Sequence, residues 1–269
     1  MGTSNTGRVD YLDGIRAIAI AAVLALHWLS WYSPFFHGGS IGVDIFFVLS
    51  GFIITTMLWR APVPTTLLAG WWPFVKRRAI RLFPALLGLV LLGIVLYAVT
   101  PEAPVAPGLV AARGTLALGQ LSSIWAAASG DGLWMPGLNP FGQTWSLAIE
   151  WHFYLVWPLI VFAAKMRGAR PRTVAVASLA AAVPLYAVAL PLNDAWFYFG
   201  PTSRFAELLV GAALALWFAA EGVPDRPWRR GTAISVLCLG AIALYCLIGP
   251  NAFSPLYRYV GIPVAVLGT

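Results

Sequence analysis

The sequence predicts an all-α, polytopic transmembrane bundle, and three observations point there. Of 269 residues, 60% are hydrophobic and 10% charged, with a mean hydropathy of +0.80. A soluble domain carries about 25% charged residues, so this chain has too few polar side chains to cover a water-facing surface. Apolar runs long enough for a bilayer recur between Pro, Gly and charged residues, and a membrane helix needs about 20 such residues. The basic residues also segregate into loops. The net charge of +7 therefore reads as membrane topology rather than as nucleic-acid binding.

Spans are predicted at 15 to 33, 41 to 59, 82 to 99, 145 to 164, 173 to 192, 204 to 220 and 232 to 249. The first is too long for the apolar part of a secretory signal, lacks an A-x-A-like cleavage site and is followed by further spans. An eighth run opens near Tyr257 and is cut at Thr269, which is too short to cross. The sequence thus reads as one membrane domain over 1–269 that continues in a longer chain. Cys238 and Cys246 sit in an apolar run with no metal or disulfide spacing, and no metal site is expected.

The stretch 109 to 129 is apolar but carries Arg113, Gln120, Ser122 and Ser123. If it does not cross, fourteen of the seventeen basic residues fall on one side; if it does, the split is nine against eight. The positive-inside rule selects the first arrangement, with a cytoplasmic N-terminus. Residues 101–144 then form an outer segment whose middle is re-entrant, which backbone tolerates only where it is buried in protein or lines a wet cavity.

Ionisable side chains inside a bilayer mark functional sites by default. Here they are His27, Asp44, Glu150, His152 and Glu207. Arg16 and His27 are eleven residues apart, which on a helix is within about 20° of whole turns and roughly 16 Å along the axis. One stripe therefore runs from a basic mouth toward an imidazole. Glu150 is expected at a similar outer depth, where a carboxylate beside the ring would fix its tautomer and suit it to general-base work. Asp44 and Glu207 start at comparable depths and could serve instead, or bind a polar acceptor. Arg77 and Arg81 are spaced to share a helix face near the helix start at Leu82 and Pro84, with Arg78 beside them. Such a face could grip a phosphorylated ligand. The basic groups at 165 to 172 and 226 to 230 read as solvated loops.

Five strings carry a resemblance: YLDGIRAIAIAAVLALH (11–27), GVDIFFVLSGFIIT (42–55), KRRAIRLFP (76–84), TWSLAIEWHFYLVWP (144–158) and RFAELLVGAALA (204–215). In order and over nearly the whole sequence, these resemble the motifs of acyltransferase family 3, bacterial membrane O-acyltransferases acting on glycans and related hydroxylated acceptors. The resemblance implies about ten transmembrane helices, of which about eight are visible here, in the bacterial inner membrane. It also implies an acyl-CoA donor, acetyl-CoA for an acetyl group, with no permanently bound cofactor, and no nucleic-acid partner. His27 would be the catalytic base, and Arg77, Arg78 and Arg81, helped by Arg16, would hold the CoA phosphates. Trp145, Ser146, Glu150, Phe153 and Tyr154 match a further motif. Glu150 would then orient the His27 ring, and Trp145, Trp151 and Tyr154 would wall an acceptor cavity. Two departures stand out: Trp151 and His152 follow Glu150 where a second Glu is common, and Ala17 replaces a Gly. A proton-coupled transporter or flippase is the rival reading of the same buried charges. It predicts inverted repeats, and the motifs at Arg16 and Arg77 have no counterparts in the second half.

Overall fold

The structure is a computed structural model and describes residues 10–30, 32–33, 35–100, 105–130, 139–222 and 231–268. Among these residues it is helical, with no strand. The elements are α1 (Asp10–Leu29), a 3-10 turn (His37–Ser40), α2 (Ile41–Arg60), α3 (Leu67–Val99), α4 (Pro107–Leu118), α5 (Ser122–Ser129), α6 (Thr144–Met166), α7 (Pro171–Ala189), α8 (Asp194–Phe199), α9 (Pro201–Glu221), α10 (Gly231–Ile248), a π-helical turn (Tyr257–Gly261) and α11 (Ile262–Gly268). Arg8, Arg226, Arg229 and Arg230 lie outside the described residues, as do parts of the predicted outer segment.

Among the described residues, six helical stretches are long and apolar enough to cross a membrane: those containing α1, α2, α3, α6, α7 and α9. The apolar α10 has 18 residues. Where the sequence suggests an eighth run, a π-helical turn interrupts the chain and α11 has only seven residues. The chain divides into two compact units, residues 1–49 with 224–269, and residues 50–223, with the boundary inside α2.

In the first unit, α1 buries a stripe of Ala19, Ala22 and Leu26, the i, i+3, i+7 pattern of one helix face. The stripe packs on the 3-10 turn, where a side-chain carbon on Gly39 would strike the Ala22 carbonyl. Only glycine permits that approach. The Phe36 amide also donates to the Leu247 carbonyl at 2.9 Å, tying the turn to the end of α10.

In the second unit, α9 is extensively enclosed, burying Ser203, Arg204, Ala206 and Glu207 through Leu209, then Gly211, Ala212, Ala213, Ala215 and Leu216. The small residues let α7 pack closely along it, as membrane interfaces favour, with a core of Val174, Ala175, Ala213 and Leu216. Helices α2 and α6 run parallel. Ser50 meets Glu150, Thr55 meets Trp157, and the end of α2 meets Lys165. Helix α3 runs antiparallel to α6, with Trp71 on Leu155, Phe74 on Tyr154 and Phe83 on Trp151. Two short helices of 12 and 8 residues, α4 and α5, follow α3, and neither has the roughly 20 residues of a span. Val110 and Ala117 of α4 pack with Leu86, Val90 and Phe141.

Helix α3 departs most from expectation. The sequence suggests a start near Leu82, because hydropathy rises there. The helix instead begins at Leu67 and continues for 33 residues through the basic cluster, with Pro73 and Pro84 inside it. Thr66 caps its start by accepting the Ala69 amide at 3.2 Å. At about 1.5 Å per residue it is roughly 50 Å long, longer than a hydrocarbon core of about 30 Å.

Candidate active site

Within the first unit, Arg16 and His27 lie on one face of the continuous α1, roughly 90 to 110° around the helix from its buried stripe. Arg16 pairs with Asp13 at 3.1 Å and both remain well exposed. The His27 ring is exposed, with Nδ1 at 2.8 Å from the Val23 carbonyl. A carbonyl only accepts, so Nδ1 carries the proton in the neutral ring and Nε2 keeps the lone pair. This backbone contact favours that tautomer. Asp44 is fully buried, and the Tyr257 hydroxyl lies 2.6 Å from each of its carboxylate oxygens. The π-helical turn that carries Tyr257 was not legible in the sequence.

Within the second unit, Glu150 is half-buried and its two oxygens have different partners. Ser50 donates to Oε1 at 2.6 Å and Tyr154 to Oε2 at 2.6 Å. Tyr154 is one helical turn beyond Glu150, so α6 supplies that contact through i, i+4 spacing. Ser50 comes from α2, beside Gly51, where any side-chain carbon would strike the Leu208 carbonyl of α9. Ser50 was missed in the sequence. The only signal was its place beside a glycine that a close helix approach requires.

The arginines of α3 divide. Arg77 and Arg81 are exposed, one helical turn apart, while Arg78 turns inward. The Arg78 guanidinium sits 5.4 Å from the Phe74 ring centre and 5.3 Å from that of Tyr154, and donates to Met57 Sδ at 3.2 Å. Because α3 starts early, this cluster lies alongside Tyr154 and Trp151 rather than at the end of α6. From Tyr154 to Lys165 along α6 is about 16 Å. Trp151 is half-buried, with its ring edge-on to Phe83 at 5.0 Å. The Ser146 hydroxyl donates to Gln143 O at 3.4 Å, and His152 is half-buried.

Glu207 is 1% exposed and pairs with a fully buried Arg204 through a 2.6 Å contact. Arg204 also donates from Nε to the Tyr198 carbonyl at 2.7 Å and lies over the Tyr198 and Trp145 rings at 4.6 and 5.8 Å. Trp145 is buried in this aromatic enclosure. Arg204, which the charge count leaves with Arg113 and Arg258 among the three outer basic residues, has its side chain inside the protein. Lys165 is a correction to the sequence reading. It donates to the carbonyls of Leu58 at 3.1 Å, Trp59 at 2.8 Å and Ala61, capping the end of α2 instead of sitting in a solvated loop. Among the described residues no group of three or more His, Cys, Asp or Glu could hold a metal.

The comparisons with known proteins identify the family. The acyltransferase domain family matches residues 9–269, so the chain belongs to acyltransferase family 3. It is 33% identical to the peptidoglycan O-acetyltransferase OatA of Listeria monocytogenes over 97% of this chain and 43% of that protein. It is 32% identical to a candidate peptidoglycan O-acetyltransferase, YrhL of Bacillus subtilis, over 95% of this chain and 42% of that protein. To the O-acetyltransferase OatA of Staphylococcus aureus it is 32% identical over 77% of this chain and 34% of that protein. The chain thus spans less than half the length of these relatives. No solved structure matches it. It is a multi-pass membrane protein of an O-acyltransferase family.

Proposed function

We propose that this chain transfers an acyl group, acetyl above all, from acyl-CoA to a hydroxyl of a glycan, with His27 as general base. The observation that carries the reading is the His27 ring, anchored through Nδ1 to Val23 O within a chain of this family. The acceptor hydroxyl gives its proton to His27 Nε2 and its oxygen attacks the thioester carbonyl. The carbon–sulfur bond then breaks, and the departing CoA thiolate takes the proton from the imidazolium, restoring the neutral ring. The exposed pair Arg77 and Arg81 on α3 would receive the donor phosphates. Glu150 is the second group in acid–base chemistry. Trp151, Tyr154 and Ser146 belong to the acceptor side. Asp44, Trp145 and Glu207 are buried in packed contacts, and no acceptor contact is proposed for them.

The glycan acceptor rests on the relatives, two of whose names specify peptidoglycan. In orientation, the N-terminus is cytoplasmic in a bacterial inner membrane, and residues 101–144 form an outer re-entrant segment. The parallel run of α2 and α6 supports a segment between α3 and α6 that does not cross, because α3 alone then supplies the return crossing between them.

Purified protein in proteoliposomes, given acetyl-CoA and a peptidoglycan fragment, is expected to release CoA in step with acetylation of the fragment. His27→Ala should abolish both while leaving the melting temperature within a few degrees. Unchanged turnover in that variant would remove His27 from the chemistry. Absence of acetyl-CoA turnover by wild-type protein would remove the donor assignment.

A further inference from the structure

We infer that Ser50 and Tyr154 are positioning residues for Glu150, and that Arg78 belongs to this assembly rather than to the donor-phosphate site. The inference rests on the proposed acyl transfer and assigns the three arginines of α3 two different tasks.

The geometry carries it. Each Glu150 oxygen has its own hydroxyl donor, one from α2 and one from α6, both at 2.6 Å. Two donors on opposite oxygens fix the carboxylate plane as one could not, and both contacts are partly buried. The Tyr154 ring is fixed in turn, edge-on to Phe74 at 6.2 Å, with the Arg78 guanidinium over both rings. A cation over the face of a phenol draws electron density from it and strengthens its hydroxyl as a donor. Arg78 thus reaches Glu150 through Tyr154. Its planar group, partly buried against two rings and Met57 Sδ, is not presented outward as Arg77 and Arg81 are. A lysine in its place would keep the charge and lose the stacking.

The test uses the full chain, with CoA binding and steady-state acetyl transfer measured on Tyr154→Phe, Ser50→Ala, Ser50→Thr, Arg78→Lys, Arg77→Ala and Arg81→Ala. Losing a hydrogen bond to a charged group costs roughly tenfold or more, so Tyr154→Phe and Ser50→Ala should lower kcat by about that factor with donor KM unchanged, and Ser50→Thr should restore it. Arg78→Lys should follow Tyr154→Phe, lowering kcat with CoA affinity within about twofold. Arg77→Ala and Arg81→Ala should each weaken CoA binding by about tenfold. An Arg78→Lys loss of CoA affinity equal to that of Arg77→Ala would overturn the division of tasks. An unchanged kcat in both Tyr154→Phe and Ser50→Ala would overturn the positioning role. Difference infrared spectroscopy needs no substrate. The carboxylate band that disappears in Glu150→Gln should shift in Tyr154→Phe and in Ser50→Ala. A fixed band overturns the inference whichever donor the enzyme uses, whereas a shifted band without acetyl-CoA turnover leaves it standing and faults only the donor.

Discussion

Glu150 and Glu207 look alike in the sequence: each is a lone carboxylate in an apolar run, and each is a natural candidate for chemistry. The structure gives them opposite surroundings. Glu207 is enclosed and paired with the Arg204 guanidinium, itself held by the Tyr198 carbonyl and two aromatic rings. Glu150 is half-buried and held by two neutral hydroxyls. A carboxylate neutralised by a fixed buried cation is committed to the fold, because moving either partner strands a charge. A carboxylate held by hydroxyls keeps its charge in play. Burial alone does not separate a structural acid from a working one; the partner does.

The comparison breaks first at Arg204. Arg204→Ala leaves Glu207 as an unpaired buried charge and should cost about 3–5 kcal/mol, seen as a large fall in the unfolding midpoint in detergent or as loss of folded protein in the membrane. Glu150→Gln should do the reverse, lowering acetyl transfer by about a hundredfold or more with little change in that midpoint. If Glu150→Gln unfolds the protein and Arg204→Ala does not, the two roles are exchanged. Lys165→Ala uncaps the end of α2 and should cost about 1–2 kcal/mol with CoA binding unchanged, measured by thermal unfolding alongside CoA titration. Smallest is the exposed Arg172–Glu221 pair at 3.5 Å, where Arg172→Ala should stay within about 0.5 kcal/mol on charge grounds apart from what its stacking on Trp217 adds. Thermal unfolding of that variant gives the baseline for the others.

Much of this was legible because membrane helices announce themselves by hydropathy. The ranges of α2, α6 and α9 differ from the sequence reading by only a few residues at either end, and the stripe from Arg16 to His27 follows from spacing alone. What stayed hidden depends on tertiary partners. Hydropathy reports lipid contact, so it placed the start of α3 after its arginines, although a helix carries Lys and Arg without penalty and Arg78 finds rings to stack on. The sequence reading left Arg204 among the outer basic residues and Lys165 in a loop, since nothing local says that one meets a glutamate and aromatic rings and the other a helix end. Ser50 passed as filler in an apolar helix, because a serine acquires meaning only when a carboxylate from a helix 100 residues away comes to meet it. The six-residue α8, which brings Tyr198 and Phe199 to Trp145, is too short for any periodicity to show.

The most direct measurement of the central claim follows isotopically labelled acetyl from acetyl-CoA into a peptidoglycan fragment, using membranes that contain equal amounts of wild-type protein or His27→Gln. Label in the fragment with wild type and only background with His27→Gln is the outcome expected of a proton-accepting imidazole. Equal labelling by the two proteins would contradict it.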